Sequence, residues 1–240
     1  MLYLIGLGIN DENDLSMKGL EMARKCDKIF METYTNKWHG DLDKLKEMIG
    51  KDVLILNREN VEDNHLVDEA KENNIALFVC GDPLSATTHT ELISEAIKKK
   101  VDYRVIHSSS VLTAVGETGL HLYKFGRTTT LCYPEGNYKP TSPLDMIKKN
   151  KENGLHTLVL LDVKDDEKRY MTVKEGVKIL LDTLKKDEKI IAASCLGSDK
   201  RKMKYSTAEN IMKEDFETPA VIIIPGELNF KEEEFLRLLE

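Results

Sequence analysis

Metal-binding and disulfide patterns are absent from this 240-residue chain. Its four cysteines stand far apart without a CxxC pair, and its six histidines form no HxH or HxxxH pair. Structural zinc sites and small disulfide frameworks require closely spaced ligands or paired thiols. We therefore expect no metal site, and we expect free thiols, most of them buried, at Cys26, Cys80, Cys132 and Cys195.

Long apolar runs are also absent. None approaches the roughly 20 residues that a membrane-spanning helix needs. The opening Met-Leu-Tyr-Leu-Ile-Gly lacks the basic region of a secretory signal. Hydrophobic residues are 41% and charged residues 32% of the chain, which is typical of a globular protein. We expect a cytoplasmic protein with no membrane partner, long enough to form one large or two smaller domains.

Basic residues are fewer than acidic ones. The chain has 35 Lys and Arg and 42 Asp and Glu, which gives a formal net charge of −7. An acidic surface repels polyanions, so no direct nucleic-acid partner is expected. The exception is the basic stretch, Lys-Arg-Lys-Met-Lys at residues 200–204. Two interpretations stay open for it: the solvated rim of a hairpin, or a docking surface for an acidic or RNA-bound partner.

Phosphate-binding motifs are incomplete. Gly6-Leu7-Gly8 follows an apolar run as in a dinucleotide fingerprint, but Asp11 stands where the third glycine is required, and no P-loop occurs. The acidic residues within 10–14 would repel a pyrophosphate at a helix N-terminus. A cationic ligand such as S-adenosyl-L-methionine, with its sulfonium and amino group, suits these loops better. The alternative is that the glycines only shape a turn and that Asp82 only caps a helix.

Apolar runs alternate with helical patterns over the first half of the chain, which predicts a parallel sheet covered on both faces. The run 75–80 leads directly into the segment GDPLSATTH at residues 81–89. This loop lies at the carboxyl end of a buried strand, where open α/β sheets bind small ligands. Strands are predicted at 2–6, 28–32, 53–56, 75–80 and 103–106, and helices at 14–22, 41–49, 65–73 and 88–100.

The spacing changes after residue 108. Residues 189–194 and 202–206 are close enough to pair as a hairpin, which predicts a mixed sheet. We therefore predict two α/β domains, a parallel one at 1–112 and a mixed one at 113–240. The other predicted strands are 128–132, 157–161 and 220–226, and the predicted helices are 111–119, 142–150, 172–184 and 232–239.

A series of segments in order along almost the whole chain resembles the diphthine synthases, a family of S-adenosyl-L-methionine-dependent methyltransferases in the tetrapyrrole-methylase-like superfamily. GDPL loops are shared across that superfamily, whereas the continuation ATTH and the segments YPEGN and LHTL are more specific to the family. The matching segments are residues 4–8, 81–89, 114–121, 123–126, 133–137, 155–158, 161–164, 170–172 and 224–226.

Three alternatives to this resemblance remain. Relatives that methylate porphyrinoids carry a GPG turn after the first strand, where this chain has Gly8-Ile9-Asn10. The acidic balance disfavours relatives that methylate ribosomal RNA. A protein without catalytic activity that docks through the basic stretch is the third alternative.

The resemblance implies two α/β domains in a homodimer, with the cofactor S-adenosyl-L-methionine in the cleft between the domains. Two positions depart from the family pattern: Ala220 stands where histidine is common, and Ser194-Cys195 where Ala-Arg is common. Contacts there are expected through the backbone. The cofactor contacts that the resemblance implies are Ile9, Asp82, Ser85, Ser110, Val111, Leu161, Ser194 and Ala220.

The resemblance also implies the reaction. It is methylation of the amino group of a 3-amino-3-carboxypropyl-histidine in translation elongation factor 2, a step of diphthamide biosynthesis that leaves S-adenosyl-L-homocysteine. No paired carboxylates and no Ser/His/Asp pattern are evident in the sequence, so the catalytic residues stay unknown and no general base is named. His89, Glu117, His121 and Tyr123 fall near the predicted cleft, and structural roles are expected for them.

Overall fold

The computed structural model describes residues 1–63, 65–134, 136, 140–165 and 167–240. The chain divides into an N-terminal unit, residues 1–111 with 165–168, and a C-terminal unit, residues 112–164 with 169–240. Within the described residues, no helix is long and apolar enough to cross a membrane. Glu135 and Asn137 of the family-like segment YPEGN lie outside the described residues.

The N-terminal unit contains one five-stranded sheet. Its strands are β1 (Leu2–Gly6), β2 (Lys28–Glu32), β3 (Leu54–Leu56), β4 (Ile75–Val79) and β5 (Tyr103–Ile106), and its helices are α1 (Met17–Lys25), α2 (Leu42–Ile49), α3 (Arg58–Glu62), α4 (His65–Glu69) and α5 (Thr90–Lys98). The strand order is β3-β2-β4-β1-β5, and every pair is parallel. The parallel sheet predicted for the first half is confirmed.

The direction of the crossovers decides which face each helix covers. The steps from β1 to β2 and from β2 to β3 run one way across the sheet, and the steps to β4 and β5 run the other way. Right-handed connections then put α1 and α2 on one face and α4 and α5 on the other. The core agrees: Ile5 packs in a cluster with Ala23 and Leu45, and Leu4 packs with Leu66 and Leu92.

The ends of α2 show why this helix was predictable. The Asp41 side chain accepts hydrogen bonds from the backbone amides of Asp43 and Lys44, and Gly50 ends the helix in the left-handed conformation at φ 76°. Both are the residue types that helix ends favour.

The predicted helix 65–73 is wrong in its bounds, since two short helices, α3 and α4, occupy 58–69. The Asn57 side chain caps α3 by accepting from Asn60 N at 2.9 Å. Asp63 ends that helix and accepts from His65 N at 3.0 Å. Short polar side chains that bind nearby backbone amides interrupt a helix in this way.

The C-terminal unit contains a second five-stranded sheet, of order β11-β10-β12-β7-β6, and a two-stranded one. Its strands are β6 (Thr129–Leu131), β7 (Thr157–Leu161), β8 (Val163–Lys164), β9 (Arg169–Tyr170), β10 (Lys189–Ser194), β11 (Lys202–Thr207) and β12 (Ala220–Ile224), and the helices from Val111 onward are α6 (Val111–Ala114), α7 (Ser142–Glu152), α8 (Val173–Leu180), α9 (Ala208–Ile211) and α10 (Phe230–Arg237). Only β6 and β7 pair in parallel within the larger sheet, and β10 and β11 form the predicted hairpin. The mixed sheet is confirmed.

The start of α8 was predicted correctly from the sequence, and its end was not. Thr172 caps α8 with a complete capping box, in which its side chain and that of Glu175 exchange hydrogen bonds with each other's backbone amides. The helix ends at Leu180 rather than at Leu184, and Leu184 N still donates to Leu180 O at 2.8 Å. The strands β8 and β9 and the helix α9 were not predicted, because segments of two to four residues carry too little periodicity.

Candidate functional site

The carboxyl edge of β1, β4 and β5 is the first candidate site. β1 and β4 are neighbours, yet their following helices lie on opposite faces of the sheet. At such a point the chain continues from the two loops toward opposite faces of the sheet. Open α/β sheets bind ligands in the crevice that forms there. Five of the eight predicted cofactor residues follow these three strands: Ile9, Asp82, Ser85, Ser110 and Val111.

The loops after β1 and β4 touch closely. Gly8 N donates to Gly81 O at 3.2 Å, and Gly81 N donates to Gly8 O at 2.8 Å. A Cβ at Gly6 would lie 2.6 Å from Gly81 O, which no side chain tolerates. Gly81 itself has φ 76°, the left-handed region that favours glycine. Glycine is therefore required at both positions for the loops to meet.

Asp82 holds the loop after β4 to the loop after β5. Its Oδ1 accepts from Leu84 N at 3.0 Å and from Ser85 Oγ at 3.3 Å. Its Oδ2 accepts from Ser108 N at 3.2 Å and contacts His107 Nδ1 at 2.7 Å. Burial raises the pKa of this carboxyl, but the surrounding donors outweigh burial, so the pKa lies below its usual value. Asp82 is a buried anion that orders two loops of the site.

His107 is the residue that the sequence analysis missed. The side chain of Asp82 is 8% exposed, whereas that of His107 is 67% exposed. A buried carboxylate therefore orients an imidazole that faces solvent. The two residues are 25 positions apart, so no local motif joins them. The available signal was that Asp82 comes two residues after one predicted parallel strand and His107 one residue after another. The carboxyl ends of parallel strands share one edge of a sheet.

The loop after β1 does not offer its amides to a phosphate. Ile9 N and Asn10 N both donate to Asp14 Oδ2, at 3.1 Å and 2.9 Å. The anion that a dinucleotide fingerprint would bind is thus replaced by a carboxylate of the chain itself. The half-buried Ile9 side chain lies beside this turn. The geometry agrees with the expectation that phosphate-bearing cofactors are disfavoured.

The rest of the GDPLSATTH segment is tightly held. Ser85 N donates to Asp82 O at 3.2 Å, and the Thr87 hydroxyl donates to Pro83 O at 2.7 Å. Ala86 between them has φ 58°, a left-handed conformation that costs a residue with a Cβ about 1–2 kcal/mol. Strain of this kind is retained where the surroundings demand it, often at functional sites.

A fully buried carboxyl, Glu32, ends β2 beside the same edge. It accepts from Thr35 N at 3.0 Å and from Cys80 N at 3.3 Å, and the Thr35 hydroxyl also donates to it. Burial raises the pKa of Glu32 to about 7 despite these donors. Glu32 thereby joins the ends of β2 and β4.

His89 ends the ATTH segment and is buried at the start of α5. Its Nε2 lies 3.4 Å from the Tyr34 hydroxyl. Burial lowers the pKa of His89 to about 4, so the ring is neutral at physiological pH. Its Nδ1 is buried and has no hydrogen-bond partner among the described residues, so one nitrogen of this ring is unused.

The second candidate site lies within the C-terminal unit, on three adjacent strands. Ser194 of β10 is the register partner of Ala220, the first residue of β12. Leu161 ends β7, one position beyond the Leu160–Val221 pair. The three remaining predicted cofactor residues therefore share one edge of this sheet.

Ser194 leaves a hydrogen-bonding group unused. Its hydroxyl oxygen is buried and has no hydrogen-bond partner in the part of the chain that the structure describes. Buried polar groups are nearly always paired, so an unpaired one points to a missing ligand or water. Cys195 follows in a left-handed conformation at φ 49°, and its N–H donates to Pro219 O at 3.0 Å. The sequence analysis expected only backbone contacts here, whereas the Ser194 side chain is available as well.

His121 lies in a network around the fully buried Glu232. That carboxylate accepts from His121 N at 3.0 Å, from Lys124 Nζ at 2.6 Å and from His156 Nε2 at 3.1 Å. His156, of the LHTL segment, accepts from Gly226 N at 2.9 Å through its other ring nitrogen. This network ties the start of α10 to the core. Tyr123 is 80% exposed, and its hydroxyl lies 2.7 Å from the His121 ring.

The basic stretch is paired with acids of its own unit. Arg201 contacts Glu117 at 2.7 Å, Lys202 contacts Glu214 at 2.9 Å, and Lys200 contacts Glu217 at 3.6 Å. Lys202 and Lys204 also lie on β11, an edge strand of the sheet, where lysine discourages strand pairing with other chains. The solvated-rim interpretation is favoured over a docking surface.

Known proteins resemble the chain over its full length. The sequence model of the family Tetrapyrrole (Corrin/Porphyrin) Methylases matches residues 1–212. A diphthine synthase of Methanocaldococcus jannaschii is 44% identical and one of Methanococcus aeolicus is 41% identical, each alignment covering 100% of this chain and 98% of the relative. A crystal structure of diphthine synthase has a TM-score of 0.92 at 36% identity and covers 99% of this chain and 95% of that one.

Proposed function

The chain belongs to the tetrapyrrole methylase family and, within it, to the diphthine synthases, and from this membership we propose that it is the methyltransferase of diphthamide biosynthesis. Its methyl donor is S-adenosyl-L-methionine. Its substrate is the amino group of the 3-amino-3-carboxypropyl-histidine of translation elongation factor 2. The full-length similarity to diphthine synthases is the observation that carries this proposal.

The residues at the two candidate sites fit such a donor. At the carboxyl edge of the N-terminal sheet, the half-buried Asp14 binds the amides that a phosphate would need. Asp82 adds a buried negative charge there. Negative charge and backbone carbonyls favour a cationic ligand over an anionic one. In the C-terminal unit, the unpaired Ser194 hydroxyl can bind a polar group of the donor.

We propose that all eight predicted residues contact the donor. The apolar ones, Ile9, Val111 and Leu161, pack against its adenine or its methionine chain. Ser85 and Ser110 provide directed polar contacts, as small-molecule sites usually do with few polar groups. Ser194 and Ala220, side by side on neighbouring strands, supply the last contacts.

The donor supplies an activated methyl group on a positively charged sulfur, which is already a good leaving group. The protein therefore has to orient the amine in line with that methyl and exclude water. Orientation of this kind is worth about 7–11 kcal/mol of the barrier. The hydrogen bonds between Gly8 and Gly81 and those of Asp82 hold the loops of this site together for the task.

The test is transfer of a tritiated methyl group from S-adenosyl-L-methionine into elongation factor 2 that carries the modified histidine. We expect label on that histidine and none on elongation factor 2 with an unmodified histidine. Label in ribosomal RNA, or no transfer at all, would contradict the proposal.

Binding measurements test the site itself. Asp82→Ala removes the carboxylate that orders two loops, and we expect the Kd of the donor to rise at least about tenfold, or ~1.4 kcal/mol. Lys202→Ala is the control, because Lys202 of the basic stretch contacts Glu214, Asp215 and Phe216 rather than any predicted cofactor residue. Titration calorimetry that ranks Lys202→Ala as the more damaging change would refute the assignment.

We further propose that the protein is a cytoplasmic homodimer of chains with domains at 1–112 and 113–240, as the family resemblance implies. Light scattering at micromolar concentration should give twice the mass of the 27.3 kDa chain. A monomer mass would refute the dimer and leave the proposed reaction intact.

A further inference from the structure

Asp82 and His107 form a polarised pair at the carboxyl edge of the N-terminal sheet. Their Oδ2 and Nδ1 atoms are 2.7 Å apart, a strong charge-assisted hydrogen bond. Asp82 is in turn held by Leu84 N, Ser108 N and the Ser85 hydroxyl. The carboxylate therefore cannot rotate away from the imidazole.

This contact decides which ring nitrogen is free. An ionised Asp82 only accepts, so Nδ1 of His107 must carry the hydrogen. In the neutral ring the lone pair is then on Nε2, on the side away from Asp82. The ring is 67% exposed, so Nε2 is accessible from solvent. A buried acid that orients an imidazole with one free nitrogen is the arrangement of a general base.

The proposed reaction needs such a base. An aliphatic amine is mostly protonated near neutral pH and has no lone pair for attack. Three other titratable groups beside this edge are less suited. Glu32 is fully buried and accepts three hydrogen bonds, and His89 is buried against Tyr34. The Asp14 carboxylate already accepts from Ile9 N and Asn10 N. Of the predicted cofactor residues, Ser110 lies three positions beyond His107 on the same loop, and Val111 follows it as the first residue of α6.

We propose that His107, oriented by Asp82, is the catalytic residue that takes the proton from the substrate amine. This inference rests on the proposed function. His107 Nε2 accepts a proton from the substrate ammonium, and the nitrogen lone pair thus freed forms a bond to the methyl carbon. The carbon–sulfur bond breaks and its electron pair stays on sulfur. The products are an N-methylated ammonium, a neutral thioether and an imidazolium. The imidazolium returns its proton to water through its exposed face.

The test compares kcat of the wild type with that of His107→Asn, at saturating donor and protein substrate. Asparagine can still donate to Asp82 but has no basic nitrogen. We expect kcat to fall about 10²- to 10⁴-fold, the usual contribution of a general base. The donor Kd should change by less than about twofold, since each factor of ten would need ~1.4 kcal/mol of lost contact.

Two further variants separate proton transfer from a structural role. In His107→Ala, added imidazole should restore part of kcat, because a free base can enter the vacated, exposed position. His65→Asn is the matched control: His65 also contacts a carboxylate, Asp63, at 2.5 Å, but at the start of α4 and away from the site. Its kcat should equal that of the wild type.

The pH dependence gives a separate readout. Asp82 is the titratable group that contacts His107 in the described structure, and its lowered pKa keeps it ionised in the working range. Residual kcat of His107→Asn should rise about tenfold per pH unit near neutrality, because only amine already free of its proton reacts. The wild type should show a weaker dependence.

Three outcomes would overturn this inference while the wild type is active: kcat of His107→Asn within about threefold of the wild type, no response of His107→Ala to imidazole, or an effect confined to the donor Kd. A wild type that transfers no methyl group would overturn the proposed function, and this inference with it.

Discussion

Each unit buries one glutamate carboxyl completely, and the two carboxyls have opposite properties. Glu32 in the N-terminal unit has a pKa raised to about 7, because burial outweighs its hydrogen bonds from Thr35 and Cys80. For Glu232 in the C-terminal unit, burial also raises the pKa. The hydrogen bonds from Lys124 and several other donors lower the pKa by more than burial raises it, so that it is about 2. A neighbouring cation, rather than burial, decides whether the buried group is charged.

This difference in pKa distinguishes a carboxyl in a structural network, Glu232, from a carboxyl beside the candidate site, Glu32. Glu232 is a permanent anion that joins α10 to Lys124 and His156, and all its neighbours are satisfied. Glu32 lies beside the edge that carries Asp82 and His107, and burial raises the pKa of its carboxyl. The two histidine contacts differ in the same way, since His156 uses both ring nitrogens and His107 uses one.

The largest expected effect is loss of the Glu232 network. Glu232→Ala should lower the free energy of unfolding by about 3–5 kcal/mol, because it leaves Lys124 and the His156 ring without their buried partner. Urea denaturation measures this change. Glu234→Ala on the exposed face of α10 is the control and should have a negligible effect. Equal losses in the two variants would show that the network is not stabilising.

The pH dependence of stability should have opposite sign in the two units. Glu232 has a folded-state pKa below its unfolded value of about 4.5, so its contribution is present above pH 4.5 and is lost as the pH falls toward 2. Glu32 has a folded-state pKa above its unfolded value, so its unit loses stability as the pH rises from 4.5 through 7. Each shift corresponds to about 3 kcal/mol.

Hydrogen exchange of peptides from each unit measures these slopes separately. Glu32→Gln should abolish the loss of protection between about pH 5 and pH 8 in the N-terminal unit, since the amide does not titrate. The C-terminal peptides should not respond to this change. A slope that persists in Glu32→Gln would assign it to another group.

The smallest effect concerns backbone strain at the N-terminal site. Ala86→Gly removes the cost of a left-handed residue with a Cβ and should raise the free energy of unfolding by about 1 kcal/mol. The gain is smaller than for an isolated strained residue because glycine also loses more entropy on folding. Thermal denaturation checks it, with Ala96→Gly in the middle of α5 as a control that should destabilise.

Much of the fold was predictable. The alternation of apolar runs and helical patterns predicted the parallel sheet, and the spacing of 189–194 and 202–206 predicted the hairpin of the mixed sheet. Caps at Asp41, Gly50 and Thr172 were visible because helix ends depend on the residue at the end itself. Bounds failed where side chains such as Asp63 and tertiary packing interrupt a local pattern.

The candidate site was only partly predictable. The loop 81–89 was placed correctly because a strand, a turn and a helix follow one another in the sequence. The Asp82–His107 pair was not, because it joins residues from two loops, and neither residue has a local signature.

The sequence by itself determined the two kinds of sheet, the order of the longer elements and the family, since periodicity, helix caps and short family-specific segments are properties of neighbouring residues. Only the tertiary structure decided which groups carry charge and which nitrogen is free. The ionisation of Glu32 and Glu232 and the exposure of His107 depend on burial and on partners distant in the chain, because solvation and Coulomb interactions act through space.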